Sequence, residues 1–476
     1  MTTADTSRSE SPASFDPYSL TAAAIESPPP HLLQAIRQIG PGLILAGSIV
    51  GTGELIATTH LGAKVGFALL WLVIVSCFIK VFVQAELGRH AISSGQTTLA
   101  AFRLLPGIAS HVGWWWLLMM LSSQLQLAAV IGGVGQALHL AMPTVARSIA
   151  PAHPELPWAI AAALATSFLL ALGGYSVVEK GSTLLVAAFT LMTVLCVILL
   201  PAAGYPIAWS QVAEGLSFTI PSSDGAFAAA MAMFGITGVG ATELVSYPYW
   251  CIEKGYARKT GPREDSPQWL ARAQGWLRIM RLDAWFSMII YTVATLAFYF
   301  LGAATLHSQN PAGLPRTVAA MLNTLSGMYA PVMGPRLAMG FIVVGVFAVL
   351  YSTLYAATAA NARTLADFLH TNCCVTFPTA TARQRWVRTL CVFFPILNLI
   401  LFIAIKDPVK MVLVGGFIQA VTLPMIAVAA IYLRHRHTDR RLRPGRVWDA
   451  FLWLSLAGLC TAAGYGVWDA IGRLHY

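Results

Sequence analysis

The chain has 476 residues, of which 57% are hydrophobic and only 11% charged, with 30 Lys and Arg against 20 Asp and Glu. Soluble globular domains carry about 25% charged residues, so this composition excludes a cytosolic enzyme, a nucleic-acid binder and a secreted disulfide scaffold. It points to an all-α integral membrane protein, whose formal net charge of +10 marks topology instead of an acidic partner.

Residues 1–40 are rich in Ser, Thr, Ala and Pro, include Pro28-Pro29-Pro30 and lack the apolar run of a signal peptide. They read as a disordered cytosolic tail. Beyond them, taking about 20 apolar residues per crossing, the sequence predicts eleven helices, at 41–66, 67–88, 112–140, 157–175, 182–203, 226–250, 282–305, 336–362, 388–405, 409–433 and 448–471. With the N-terminus in the cytosol, 22 Lys and Arg fall on cytosolic segments and seven on the opposite side, while Lys80 lies inside a span. The positive-inside rule then places the N-terminus inside and the C-terminus outside a plasma membrane. Of the seven cysteines, four sit in apolar runs and none forms a CxxC pair, so neither a disulfide framework nor a thiolate zinc site is expected.

Two glutamates, Glu54 and Glu243, fall deep in the first and sixth spans, where an acidic group costs about 2.5–3.5 kcal/mol. Their settings match: Gly51-Thr52-Gly53-Glu54-Leu55 and Gly240-Ala241-Thr242-Glu243-Leu244 share the pattern G-x-x-E-L, five helices apart. An odd offset means the two segments cross in opposite directions, as in transporters built from inverted repeats. The expected organisation is a first five-helix repeat over 41–203, a second over 204–433, and a basic loop with an eleventh helix in 434–476. Glycine and hydroxyl residues crowd mid-span in both segments, and each glycine weakens a helix by about 1 kcal/mol, so broken helices are expected at both places. Freed carbonyls near Gly51, Thr52, Gly240, Ala241 and Thr242, joined by the two carboxylates, would form a cation coordination shell. The bland alternative is close helix packing at the glycines, with each glutamate protonated and hydrogen-bonded within the bundle.

The chain resembles the Nramp family of divalent metal transporters. The likeness runs through Gly40-Pro41-Gly42-Leu43, Gly62-Ala63-Lys64-Val65-Gly66-Phe67, Leu70-Trp71, Gln84, Arg89, Val130-Ile131-Gly132 and Leu423-Pro424. The resemblance implies a leucine-transporter-type fold with two inverted five-helix repeats plus an eleventh transmembrane helix. The departures give it direction. The family's Asp-Pro-Gly-Asn aligns with Gly51-Thr52-Gly53-Glu54, its Met-Pro-His with Leu244-Val245-Ser246, its span-three Asp and Glu with Gln126 and Ala129, and its span-ten glutamines with Gly416 and Thr422. Loss of the thioether turns the site toward hard ions such as Mg²⁺ and Mn²⁺, and loss of the span-three acids implies weak or absent proton coupling.

Auxiliary candidates are Gln126, Thr422, Lys80, and Ser352 with Thr353 as a sodium site between the first and eighth spans. For Lys80, snorkelling to the interface competes with pairing to Glu86 or a site glutamate. Tyr247, Tyr249 and Trp250 read as an interfacial anchor, and His60 as a satisfied structural histidine. The expected function is alternating-access transport of a divalent cation by a monomer in lipid, without a resident cofactor; the alternatives are a carrier of small organic solutes and a membrane protein that transports nothing. No soluble domain, nucleophile elbow or phosphate loop suggests an enzyme.

Overall fold

The computed structural model describes residues 17–21, 24–172, 175–221, 225–308 and 313–474, without the side chains of residues 52, 146, 175–183, 185 and 472–474. Among the described residues it is all helical. Nine helices are long and apolar enough to cross a membrane: α1 (Pro41–Val65), α2 (Leu70–Ser94), α3 (Gly107–Ala141), α6 (Ala226–Glu253, in two halves), α7 (Pro267–Leu306), α8 (Pro335–Asn372), α9 (Ala380–Ile405), α10 (Pro408–Arg436) and α11 (Arg446–Ile471). Two further apolar helices, α4 (Leu156–Leu172) and α5 (Tyr175–Leu199), lie where the sequence predicts spans four and five. Several helices outrun their apolar windows: α7 begins at Pro267, fifteen residues before the predicted span, because Ser266 caps it by accepting from Trp269 N at 3.1 Å.

Residues 24–40 do not behave as a disordered tail. Trp276 Nε1 donates to Glu26 O at 3.0 Å, Lys259 pairs with Glu26 at 3.0 Å, and Leu32–Ile36 is helical. The reason is a partner the sequence alone does not reveal, the extended start of α7. Residues 1–16 of the tail lie outside the described residues.

Two polar devices fix the bundle. The Asp283 carboxylate of α7 accepts from Gly40 N at 2.9 Å and Gly42 N at 2.6 Å, an anion satisfying the free N–H groups at the start of α1. Tyr247 of α6 donates to the same carboxylate at 3.0 Å. Toward the C-terminal end of α2, Glu86 pairs with Arg89 and with Arg434 of α10, each at 3.2 Å, and Arg434 reaches Asp449 of α11 at 2.6 Å.

The first half of α6 packs directly on α10. A Cβ at Gly235 would lie 1.9 Å from the Gly416 carbonyl oxygen, and one at Gly416 would lie 2.4 Å from the Ala232 oxygen. Backbone meets backbone here, so neither side can yield by a rotamer change. Gly235→Ala is therefore expected to destabilise the fold by about 1–3 kcal/mol, read as a lower melting temperature in detergent, whereas Gly340→Ala, which meets nothing within 4 Å, should leave it unchanged.

Candidate functional site

Helix α6 breaks where the sequence predicts. Its first half ends at Ile236; Thr237 is extended (φ −75°, ψ 143°), Gly238 takes φ +68°, and the second half restarts at Ala241. Position 238 needs glycine twice over, for its left-handed backbone and because a Cβ would sit 3.1 Å from Cys77 Cα. Helix α1 does not break. Over Val50–Thr58 it widens into a π-helix, and the displaced carbonyls take hydroxyl donors: Thr58 Oγ1 donates to Gly53 O at 2.9 Å and Thr59 Oγ1 to Glu54 O at 3.4 Å. A widened helix absorbs the glycine-rich segment without freeing the backbone, which is why one of the two expected interruptions is absent. π-Helical segments of this kind are frequent at functional sites.

The carbonyls freed in α6 are claimed by α2. Lys80 Nζ donates to Phe234 O and to Thr237 O, the latter at 2.7 Å, and Ser76 Oγ donates to Phe234 O at 3.3 Å. The Lys80 side chain is fully buried, so snorkelling does not occur: the acceptors of the α6 break hold the ammonium inside. Glu86 is not its partner, being committed to Arg89 and Arg434.

Of the two glutamates, only Glu243 lines the central cavity, which has a volume of about 40 Å³. Thr242, Ser246, Gln126, Gln419, Asn361 and Trp250 line it as well. Glu243 stands in the first turn of the second half of α6, where the helix N-terminus favours a negative charge, and its Oε2 accepts from Thr242 Oγ1 at 2.8 Å. The carboxylate folds over Gly240, whose Cβ would fall 2.4 Å from Glu243 Oε2. Ala241, fully buried, opens the second half of α6.

Glu54 lies behind that cavity. Its Oε1 accepts from Thr295 Oγ1 of α7 at 2.9 Å and from Gly238 N at 3.4 Å, while Oε2 is buried without a hydrogen-bond partner. The expected pairing of both carboxylates around one ion is thus replaced by two environments, because the π-helical turn directs Glu54 to α7 and the α6 loop.

Gln126, an auxiliary candidate, lines the cavity. Gln419 Nε2 donates to Gln126 Oε1 at 3.2 Å, and Gln419 Oε1 accepts from Thr242 N at 3.3 Å and Thr242 Oγ1 at 3.4 Å. The sequence reading passed over Gln419 in favour of Thr422, whose hydroxyl instead back-bonds to Ile418 O at 2.8 Å. The missed signal is helical spacing: Gln419 is three residues from Gly416 and so shares the face of α10 that meets α6.

Ser352 and Thr353 bridge α8 to α1 directly. Ser352 Oγ donates to Gly47 O at 3.2 Å and Thr353 Oγ1 to Ser48 O at 2.9 Å. Gly51 lets α8 approach, since a Cβ there would meet Thr353 Oγ1 at 2.0 Å. The side chain of Thr52 lies outside the described residues. Tyr247 and Tyr249 are buried and donate to Asp283 and Asp367 at 3.0 and 2.6 Å, and Trp250 walls the cavity; all three leave the interface because the carboxylates that receive the tyrosine hydroxyls come from α7 and α8. His60 Nδ1 accepts from Leu314 N at 2.9 Å, a structural role. Among the described residues, no three His, Cys, Asp or Glu side chains cluster.

The architecture is that of leucine-transporter-type proteins. A manganese transporter from Eremococcus coleocola, solved with an aromatic bis-isothiourea substituted compound, resembles this chain with a TM-score of 0.64 at 16% identity, over 94% of this chain and 90% of that one. MhsT in complex with L-phenylalanine matches with a TM-score of 0.56 at 16% identity, over 90% and 98%. Mhp1, a nucleobase-cation-symport-1 family transporter, matches at 0.54 and 15% identity, over 90% and 93%. No curated protein matches the sequence. The model of the natural resistance-associated macrophage protein-like family, however, matches residues 42–469, and the chain therefore belongs to the Nramp family of membrane transporters.

Proposed function

We propose that this protein is a secondary transporter that carries a small hard divalent cation, Mn²⁺ or Mg²⁺, by alternating access between two five-helix halves, 41–203 and 204–433. The observation that carries this reading is the donor set of the cavity: one carboxylate, Glu243, with the amides of Gln126, Gln419 and Asn361 and the hydroxyls of Thr242, Ser246, Ser48 and Ser123, and no sulfur or imidazole among the described lining residues. Oxygen donors suit Mg²⁺ and Mn²⁺, whereas thioether and thiolate select softer metals. A single carboxylate in a cavity of about 40 Å³, with room for a few waters at about 10–15 Å³ each, suits an ion that keeps part of its hydration shell. It does not suit an amino acid or a heterocycle. The manganese transporter of the same fold supports the cation class.

In this reading Glu54 is a counter-charge and not a ligand. Lys80 places its amino group at the α6 break, donating to Thr237 O, while Glu54 takes the adjacent Gly238 N, so that the two side chains flank the same turn. Between Val112 and Leu138, the stretch of α3 that holds Gln126 and Ala129, there is no titratable side chain, which supports transport with weak or no proton coupling. The basic segments 254–281 and 434–446 support a cytosolic N-terminus and a C-terminus on the far side of a plasma membrane.

Uptake of Mn²⁺ and Mg²⁺ into proteoliposomes tests the site. Glu243→Gln should lower uptake at least tenfold while the melting temperature stays near native, and Cd²⁺ should be no better a substrate than Mn²⁺; unaltered uptake by the variant, or uptake of an organic solute instead of either ion, would refute the assignment. The role of Glu54 is read by a double-mutant cycle in thermal stability. Glu54→Gln and Lys80→Met should each destabilise the protein, and the double variant should recover a coupling of about 0.5–3 kcal/mol; strict additivity would show that the two charges do not balance one another.

A further inference from the structure

The two basic stretches of the chain, far apart in sequence, converge on one pocket. A cavity of about 420 Å³ is lined by Arg89 of α2, Gln274, Arg278 and Arg281 of α7, and Arg441 and Arg443 of the segment between α10 and α11. Five guanidinium groups share this space, yet their internal partners are few. Arg441 is matched by Asp439 and Asp265, each at 2.9 Å. Arg89 divides Glu86 with Arg434 and donates Nη1 to Leu442 O at 2.9 Å, but its Nη2 is buried without a partner, on a side chain only 2% exposed. The Arg281 Nε is likewise buried and unpartnered. Arg443 donates to the backbone oxygens of Thr438 and His435, and among the described ion pairs neither it nor Arg278 meets a carboxylate.

Burying a guanidinium N–H with no acceptor is costly, and like charges gathered in one pocket add repulsion. A ligand with several anionic oxygens relieves both, since the planar fork of arginine matches phosphate geometry. The depth is also informative. Arg278 and Arg281 stand within one turn of the point where the apolar run of α7 begins, and α2 leaves its apolar stretch at Arg89, so the pocket opens at the level of lipid headgroups.

We propose that this arginine pocket binds a phosphate-bearing anion, with Arg89 at its floor and Arg278, Arg281 and Arg443 closing on the phosphate oxygens. The proposal does not rest on the cation-transport reading. Its test is the thermal stability of the full-length protein in neutral detergent, titrated separately with phosphatidylglycerol, with phosphatidylcholine and with inorganic phosphate. A ligand of the folded state raises the melting temperature in a saturable way. Stabilisation by phosphatidylglycerol beyond phosphatidylcholine identifies a lipid headgroup, and stabilisation by inorganic phosphate at millimolar concentration identifies a soluble anion; either outcome supports the pocket. The double change Arg278→Gln and Arg281→Gln should weaken the response at least tenfold, with Arg278→Gln alone, at an exposed position, as the readout if the double variant melts before titration. A native protein insensitive to both anions, or variants that respond like native protein, would overturn the assignment.

Discussion

A helix that breaks inside a membrane must find donors for the carbonyls it releases, because no bulk water is available there. In this protein that requirement is met mainly by one side chain. Lys80 donates to the oxygens of Phe234 and Thr237, with Ser76 assisting at Phe234. Much of the centre follows from this choice. Beside the same break, Glu54 of α1 is held by Thr295 of α7 and the amide of Gly238. Helices α1, α2, α6 and α7 are thereby joined around three backbone atoms at the α6 break, the oxygens of Phe234 and Thr237 and the nitrogen of Gly238.

The same choice separates structure from cargo. With the α6 carbonyls engaged by Lys80 and Glu54 turned to Thr295 and Gly238, the polar groups facing the cavity are Glu243, the two glutamines of α3 and α10, Asn361 and hydroxyls. The chemistry of the site is accordingly that of a single carboxylate at a helix N-terminus backed by neutral oxygen. Solved structures that share this fold include ones holding an amino acid and a hydantoin, so the fold alone does not decide the substrate class.

Most of the architecture was legible in the sequence because membrane spans announce themselves as apolar runs, and the break at Thr237 to Gly240 because glycine and hydroxyl residues crowd there. The glutamate pair was legible as a repeated motif, but its division of labour was not. Whether a carboxylate faces a cavity or a neighbouring helix depends on rotation about the helix axis, and the π-helical turn in α1 changes that rotation in a way no residue pattern records. Lys80 was misread for a related reason: its acceptors belong to residues more than 150 positions away. Gln419 was passed over because matching the family's glutamines position by position ignored the face of α10 on which it lies.

The ionic group at the far end of α2 carries a last implication. Arg89 and Arg434 face Glu86 and Asp449 in contacts of 2.6 to 3.2 Å, two positive charges against two negative ones drawn from α2, α10 and α11. Such a set is electrically neutral only when complete. Replacing any one member strands a charge among the other three, so the four positions are free to drift only in compensating combinations. Across related chains they should covary as a block, and a lineage that sheds α11, and Asp449 with it, would have to neutralise Arg434 in the same step.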